Sequence, residues 1–72
     1  MTMTVAEKII RAVREHPGLT ERQLADRIFG ENAAIQRVNP TCRKLVTQGL
    51  LLRQGKGWSG DPFRYHPATR PR

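Results

Sequence analysis

The sequence is poor in several things at once. Its 72 residues hold one cysteine, one tryptophan, one tyrosine and two phenylalanines. A single Cys cannot form an internal disulfide, and no Cys/His cluster has zinc spacing. No apolar run approaches the roughly 20 residues that span a bilayer, and no signal peptide opens the chain. A soluble, cytoplasmic protein with no membrane partner is therefore expected. A chain this short forms one domain and buries only about 60% of the surface its unfolded form exposes. Such a core leaves little room for an enclosed cavity, so neither a cofactor nor a small-molecule substrate is expected. No phosphate-binding glycine loop, nucleophile elbow or carboxylate pair appears, which argues against an enzyme.

Acid is also scarce, and only in one part of the chain. Residues 1–31 balance five basic groups against five acidic ones. Residues 32–72 hold eight basic groups and one acid, Asp61, and so carry the whole net charge of +7. This asymmetry points to a polyanion-facing surface in the second part.

The elements can be read in order. A helix is expected over Val5 to His16. Thr4 caps it, Glu7 completes a capping box, and Val5, Ile9 and Val13 form an apolar stripe with Ala6, Ile10 and Ala12. Pro17-Gly18 stops it. A second helix is expected over Glu21 to Phe29, with Thr20 and Gln23 as capping box and Leu19 and Leu24 as hydrophobic staple. Its buried stripe is Leu24, Ala25, Ile28 and Phe29, and Gly30 is its left-handed stop. Asn32 could cap a short turn through Ala33 to Ile35. Asn39-Pro40 then reads as N-cap and first residue of a third helix, Pro40 to Gln48, closed by Gly49. A continuous kinked helix from Ala33 is the alternative. Leu50 to Gln54 and Phe63 to His66 read as the strands of a hairpin joined by a glycine-rich loop. Phe63 and Tyr65 face the core, Arg64 and His66 face outward, and Pro67 ends the strand. Residues 68–72 read as a basic disordered tail.

Three helices and a hairpin in residues 1–67 resemble the winged helix-turn-helix domain. The likeness rests on Leu19 to Ile28 as first helix of the motif, and on Val38, Cys42, Leu45 and Gly49-Leu50-Leu51 as recognition helix and exit into the wing. The stretch Gly30 to Val38 is longer than the turn of compact members. The implied fold class is mainly α with a small β-hairpin (α+β), with three helices and a two- to three-stranded wing. The implied partner is double-stranded DNA, with the third helix in the major groove and the wing on flanking backbone or minor groove. A small prokaryotic or phage transcriptional regulator is the expected setting.

The candidate contacts follow from the helical period. Cys42, Leu45, Val46 and Gly49 share one arc of the third helix. The opposite arc carries Pro40, Arg43, Lys44 and Thr47, and a backward extension adds Gln36 and Arg37. Asn39 and Thr41 belong to the same helix start. Arg pairs bidentately with guanine or with phosphate, and Lys44 suits phosphate. Gln23 and Thr41 mark helix N-termini that could seat a phosphate. In the wing, Arg53, Lys56, Gly57, Trp58, Ser59 and Arg64 form a second footprint, with glycines that permit close approach to phosphates. Trp58 either contacts sugar, base or a partner, or folds back over Leu52 or Phe63. Cys42 reads as a small core residue.

One such module buries roughly 600–1,000 Å² of surface on DNA, so high specificity favours a homodimer or a partner protein. Two other uses remain open. One is a protein-interaction module using Leu50 to Leu52 and Trp58. The other is a reader of modified or non-B DNA in a restriction-type system.

Overall fold

The structure, a computed structural model, describes residues 2–31, 33–58 and 60–68. Helix α1 (Val5–Glu15) leads to a two-residue strand β1 (Leu19–Thr20) and helix α2 (Glu21–Phe29). A 3₁₀ turn (Ile35–Arg37) precedes helix α3 (Asn39–Thr47), and strands β2 (Leu51–Gln54) and β3 (Arg64–Pro67) complete the fold. It is an α+β arrangement of three helices and one three-stranded antiparallel sheet in the order β1-β3-β2. No helix among the described residues is long and apolar enough to cross a membrane.

Both capping boxes form as expected. The Thr4 hydroxyl accepts from the Glu7 N–H at 3.1 Å, and the Glu7 carboxylate accepts from the Thr4 N–H at 2.8 Å. Thr20 and Gln23 repeat the pattern at 3.2 and 2.9 Å. The side chain of Gln23 is thereby spent on its own cap. Helix α2 has the expected limits, while α1 stops at Glu15, and His16 is its C-cap. Gly30 has φ +102° and ψ 172°, so it ends α2 through positive φ but not in the left-handed helical conformation expected.

Three departures have physical causes. First, Leu19–Thr20 is both helix entry and strand. It pairs with Tyr65 and Arg64, and a two-residue partner leaves no sequence period to detect. Second, α3 begins at Asn39, and Val38 is its N-cap, with no side-chain cap bond. The 3₁₀ turn already holds Val38 in a helical conformation, and the Cys42 N–H donates to Val38 O at 2.8 Å. Asn39 therefore cannot adopt the extended backbone of an N-cap. The turn itself lies later than Ala33 to Ile35, and Asn32 falls outside the described residues. Third, both strands are shifted: Leu50 and Phe63 lie outside them, and Pro67 is the last residue of β3, opposite Leu51. β1 reaches only to Tyr65, two residues short, so no neighbour on that side needs an N–H from Pro67.

Every helix and strand feeds one core of Ile9, Val13, Leu19, Leu24, Ala25, Val38, Cys42, Leu45, Leu51 and Tyr65. Phe63 is packed against it but only half-buried. Gly49, placed by the helical period on the buried arc, is exposed. Of the tail, only Ala68 is described, and residues 69–72 lie outside.

Candidate nucleic-acid interface

The outward arc of α3 is as the period implies. Pro40, Arg43, Lys44 and Thr47 are exposed, Thr41 is half-buried, and Cys42 and Leu45 are buried beneath them. Gln36 and Arg37 are exposed on the 3₁₀ turn just before the helix. Among the described residues, both ion pairs lie in the neutral first part, Arg11 with Glu15 and Arg22 with Asp26. No carboxylate there pairs with a cation of α3 or of the hairpin.

Several of the other cations have partners that position them without neutralising them. Arg37 stands over the Phe29 ring at 4.0 Å, and Arg53 over the Phe63 ring at 4.0 Å. The Arg64 guanidinium donates to Gly18 O at 3.3 Å. A ring face and a carbonyl orient a guanidinium while leaving its charge intact. Lys56 is exposed at the hairpin tip. Ser59 lies outside the described residues.

Asn39 behaves differently from its neighbours. It is half-buried, and its amide donates to one oxygen of Glu21 at 2.9 Å. The Tyr65 hydroxyl donates to the other oxygen at 2.6 Å. One carboxylate at the start of α2 thus ties the first residue of α3 to the centre of β3, and so sets the helix against the hairpin. Asn39 positions α3 and has its donor committed. Sequence reasoning missed Glu21, because an acid in the first turn of a helix already has a sufficient local explanation in the helix dipole. Its two partners are 18 and 44 residues away along the chain.

The same junction perturbs two protons. Burial, reinforced by the charge of Glu21, pushes the Cys42 thiol up from 9.0 to about 12. Burial also raises the Tyr65 phenol well above its ordinary value of 10.0, helped by its bond to Glu21. Both groups are held neutral in the fold, so the unfolded chain releases their protons first. The stability they contribute is complete below about pH 9 and is lost as pH rises beyond it. The melting temperature should be flat up to about pH 9 and fall above it, and Cys42→Ala should flatten the first part of that fall. Cys42 should also resist thiol reagents at neutral pH until the chain unfolds; rapid labelling of folded protein would contradict this.

Two glycines of the hairpin loop have a packing role that the sequence did not show. A Cβ on Gly57 would strike the Phe63 ring, and one on Gly60 would strike the Trp58 ring. These positions make room for the protein's own aromatics, and both remain exposed. Trp58 itself remains 60% exposed and is not folded into the core. Together with Pro62 and Phe63 it faces Thr20, Glu21 and Ile35 across an open groove of about 280 Å³. The groove brings the hairpin tip beside the turn that carries Gln36 and Arg37. No family model matches the chain, and neither does any curated protein or solved structure.

Proposed function

We propose that the chain is a winged helix-turn-helix module that binds double-stranded DNA, with α3 in the major groove and the β2–β3 hairpin as wing on the flanking backbone. The observation that carries this reading is the outward face of α3. Arg43 and Lys44 stand exposed between Pro40 and Thr47, with no carboxylate partner among the described residues. A helix is the element whose width suits the major groove, and these side chains suit guanine edges and phosphates. Cations on the hairpin extend the footprint, and the joining of β1 to the hairpin gives it a fixed base. A small transcriptional regulator acting through occupancy of its site is the setting that fits a single module.

Selection of bound duplexes from a random pool, followed by titration of the Arg43→Ala variant, tests this. If Arg43 reads a base, the variant loses about 1–3 kcal/mol of discrimination at one position of the selected site. Equal losses on every sequence would make Arg43 a phosphate contact. Unchanged binding would overturn the placement of α3, and an enriched palindrome would indicate a dimer.

A second use of the β2 side is favoured by Leu50 and Leu52, which are 50% and 55% exposed. They offer apolar contact to a second copy or a partner protein. Concentration-dependent sedimentation without DNA would reveal the former.

A further inference from the structure

The hairpin tip is built to hold an indole in place and leave it uncovered. Trp58 forms a bridge with Asp61, whose N–H donates to Trp58 O at 2.8 Å, while the Gly57 N–H donates to Asp61 O at 2.9 Å. The benzo ring lies against Gly60, where no side chain could stand. An exposed tryptophan that is fixed by its own backbone loses little freedom when something stacks on it.

The adjoining groove defines what that something is. At about 280 Å³ it lies just below the roughly 300–1,000 Å³ of ordinary ligand sites, a space for one planar ring system. Phe63, Pro62 and Ile35 supply apolar wall, and Thr20 and Glu21 complete the opposite side. Arg22 supplies a cation to the lining itself. An apolar wall for a ring with a cation beside it suits one nucleotide turned out of a strand.

We propose that this groove receives a nucleobase displaced from the duplex and stacked on Trp58, so that the protein favours DNA carrying an unpaired base over intact duplex. The proposal rests on the DNA-binding reading and adds a substrate preference to it. In an intact duplex both faces of each base are covered by neighbours, and an indole has no ring face to meet. An unpaired base costs least to turn out, and aromatic stacking then favours it whatever its identity.

The test uses the full chain and two labelled duplexes of equal length, one intact and one with a single-base bulge. The bulged duplex should bind roughly tenfold more tightly, which lies within the range of base–aromatic stacking. Emission from Trp58, the only tryptophan, should be quenched by the bulged duplex and much less by the intact one. Trp58→Ala should remove the preference without lowering the melting temperature, and Trp58→Phe should retain most of it. Equal affinity for the two duplexes with unchanged emission would overturn the proposal and leave the DNA-binding reading standing. A preference that persists in Trp58→Ala would overturn it as well. Binding to neither duplex would overturn both.

Discussion

Affinity for random duplex is expected to fall about 10³-fold as monovalent salt rises from about 50 to 200 mM. Arg37, Arg43, Lys44, Arg53, Lys56 and Arg64 are all exposed on α3, the preceding turn or the hairpin. Where they have contacts, these are rings or a carbonyl, so each keeps a charge to offer a phosphate. Each neutralised phosphate contributes about −0.9 to the log–log slope, so six together give about −5. A fourfold rise in salt at that slope produces the stated loss. The measurement is a set of fluorescence-anisotropy titrations across salt. A flat response would rule out a nucleic-acid surface here, since a protein interface built on Leu50, Leu52 and Trp58 would be held by apolar area and not by released counterions. A slope near half the expected value would indicate that α3 and the hairpin do not engage one duplex together.

Tyr65→Ala should leave the chain largely unfolded at room temperature. Tyr65 is the largest fully buried side chain and sits on the central strand of the sheet. Removing a buried aromatic costs about 3–5 kcal/mol, and a single core of this size rarely supplies more than that. Tyr65→Phe separates packing from hydrogen bonding. It keeps the ring and loses only the donor to Glu21, a bond to a charged acceptor of about 1.5–3 kcal/mol. For a domain of this length each kcal/mol lowers the melting temperature by about 4–8 °C. The phenylalanine variant should therefore melt cooperatively, about 6–24 °C below the parent. Circular-dichroism melts of the two variants decide the matter. A phenylalanine variant as stable as the parent would show that the Glu21 bond does not hold the hairpin in place.

Local signals carried most of the fold into the sequence. Thr4 with Glu7 and Thr20 with Gln23 announce two helices, because a capping box is complete within four residues. The α3 face was equally legible, since Cys42 and Leu45 fix which side is buried and so which side Arg43 and Lys44 present. Part of what the sequence concealed is non-local. The pairing of Leu19 with Tyr65 spans most of the chain and involves a strand too short for any periodicity. Asn39 looked like a cap because Asn-Pro is a common helix start, but the preceding 3₁₀ turn took that role and freed its amide for Glu21. The loop glycines looked like room for a phosphate, and Gly57 and Gly60 also make room for Phe63 and Trp58. The first override comes from a partner distant in sequence, whereas the glycines answer to aromatics in their own loop.

The Glu21 carboxylate bears on how the molecule can be divided. Its partners lie on the third helix and on the last strand, and Leu51 and Tyr65 from the hairpin complete the core under the helices. The three helices are thus not a detachable unit to which the hairpin was added. A minimal fragment ending at Gln48 would surrender two core side chains and half of the clamp on Asn39, and with them the angle at which α3 is presented. Grafting the α3 face onto another scaffold would meet the same obstacle, because its aim is fixed from outside the helix.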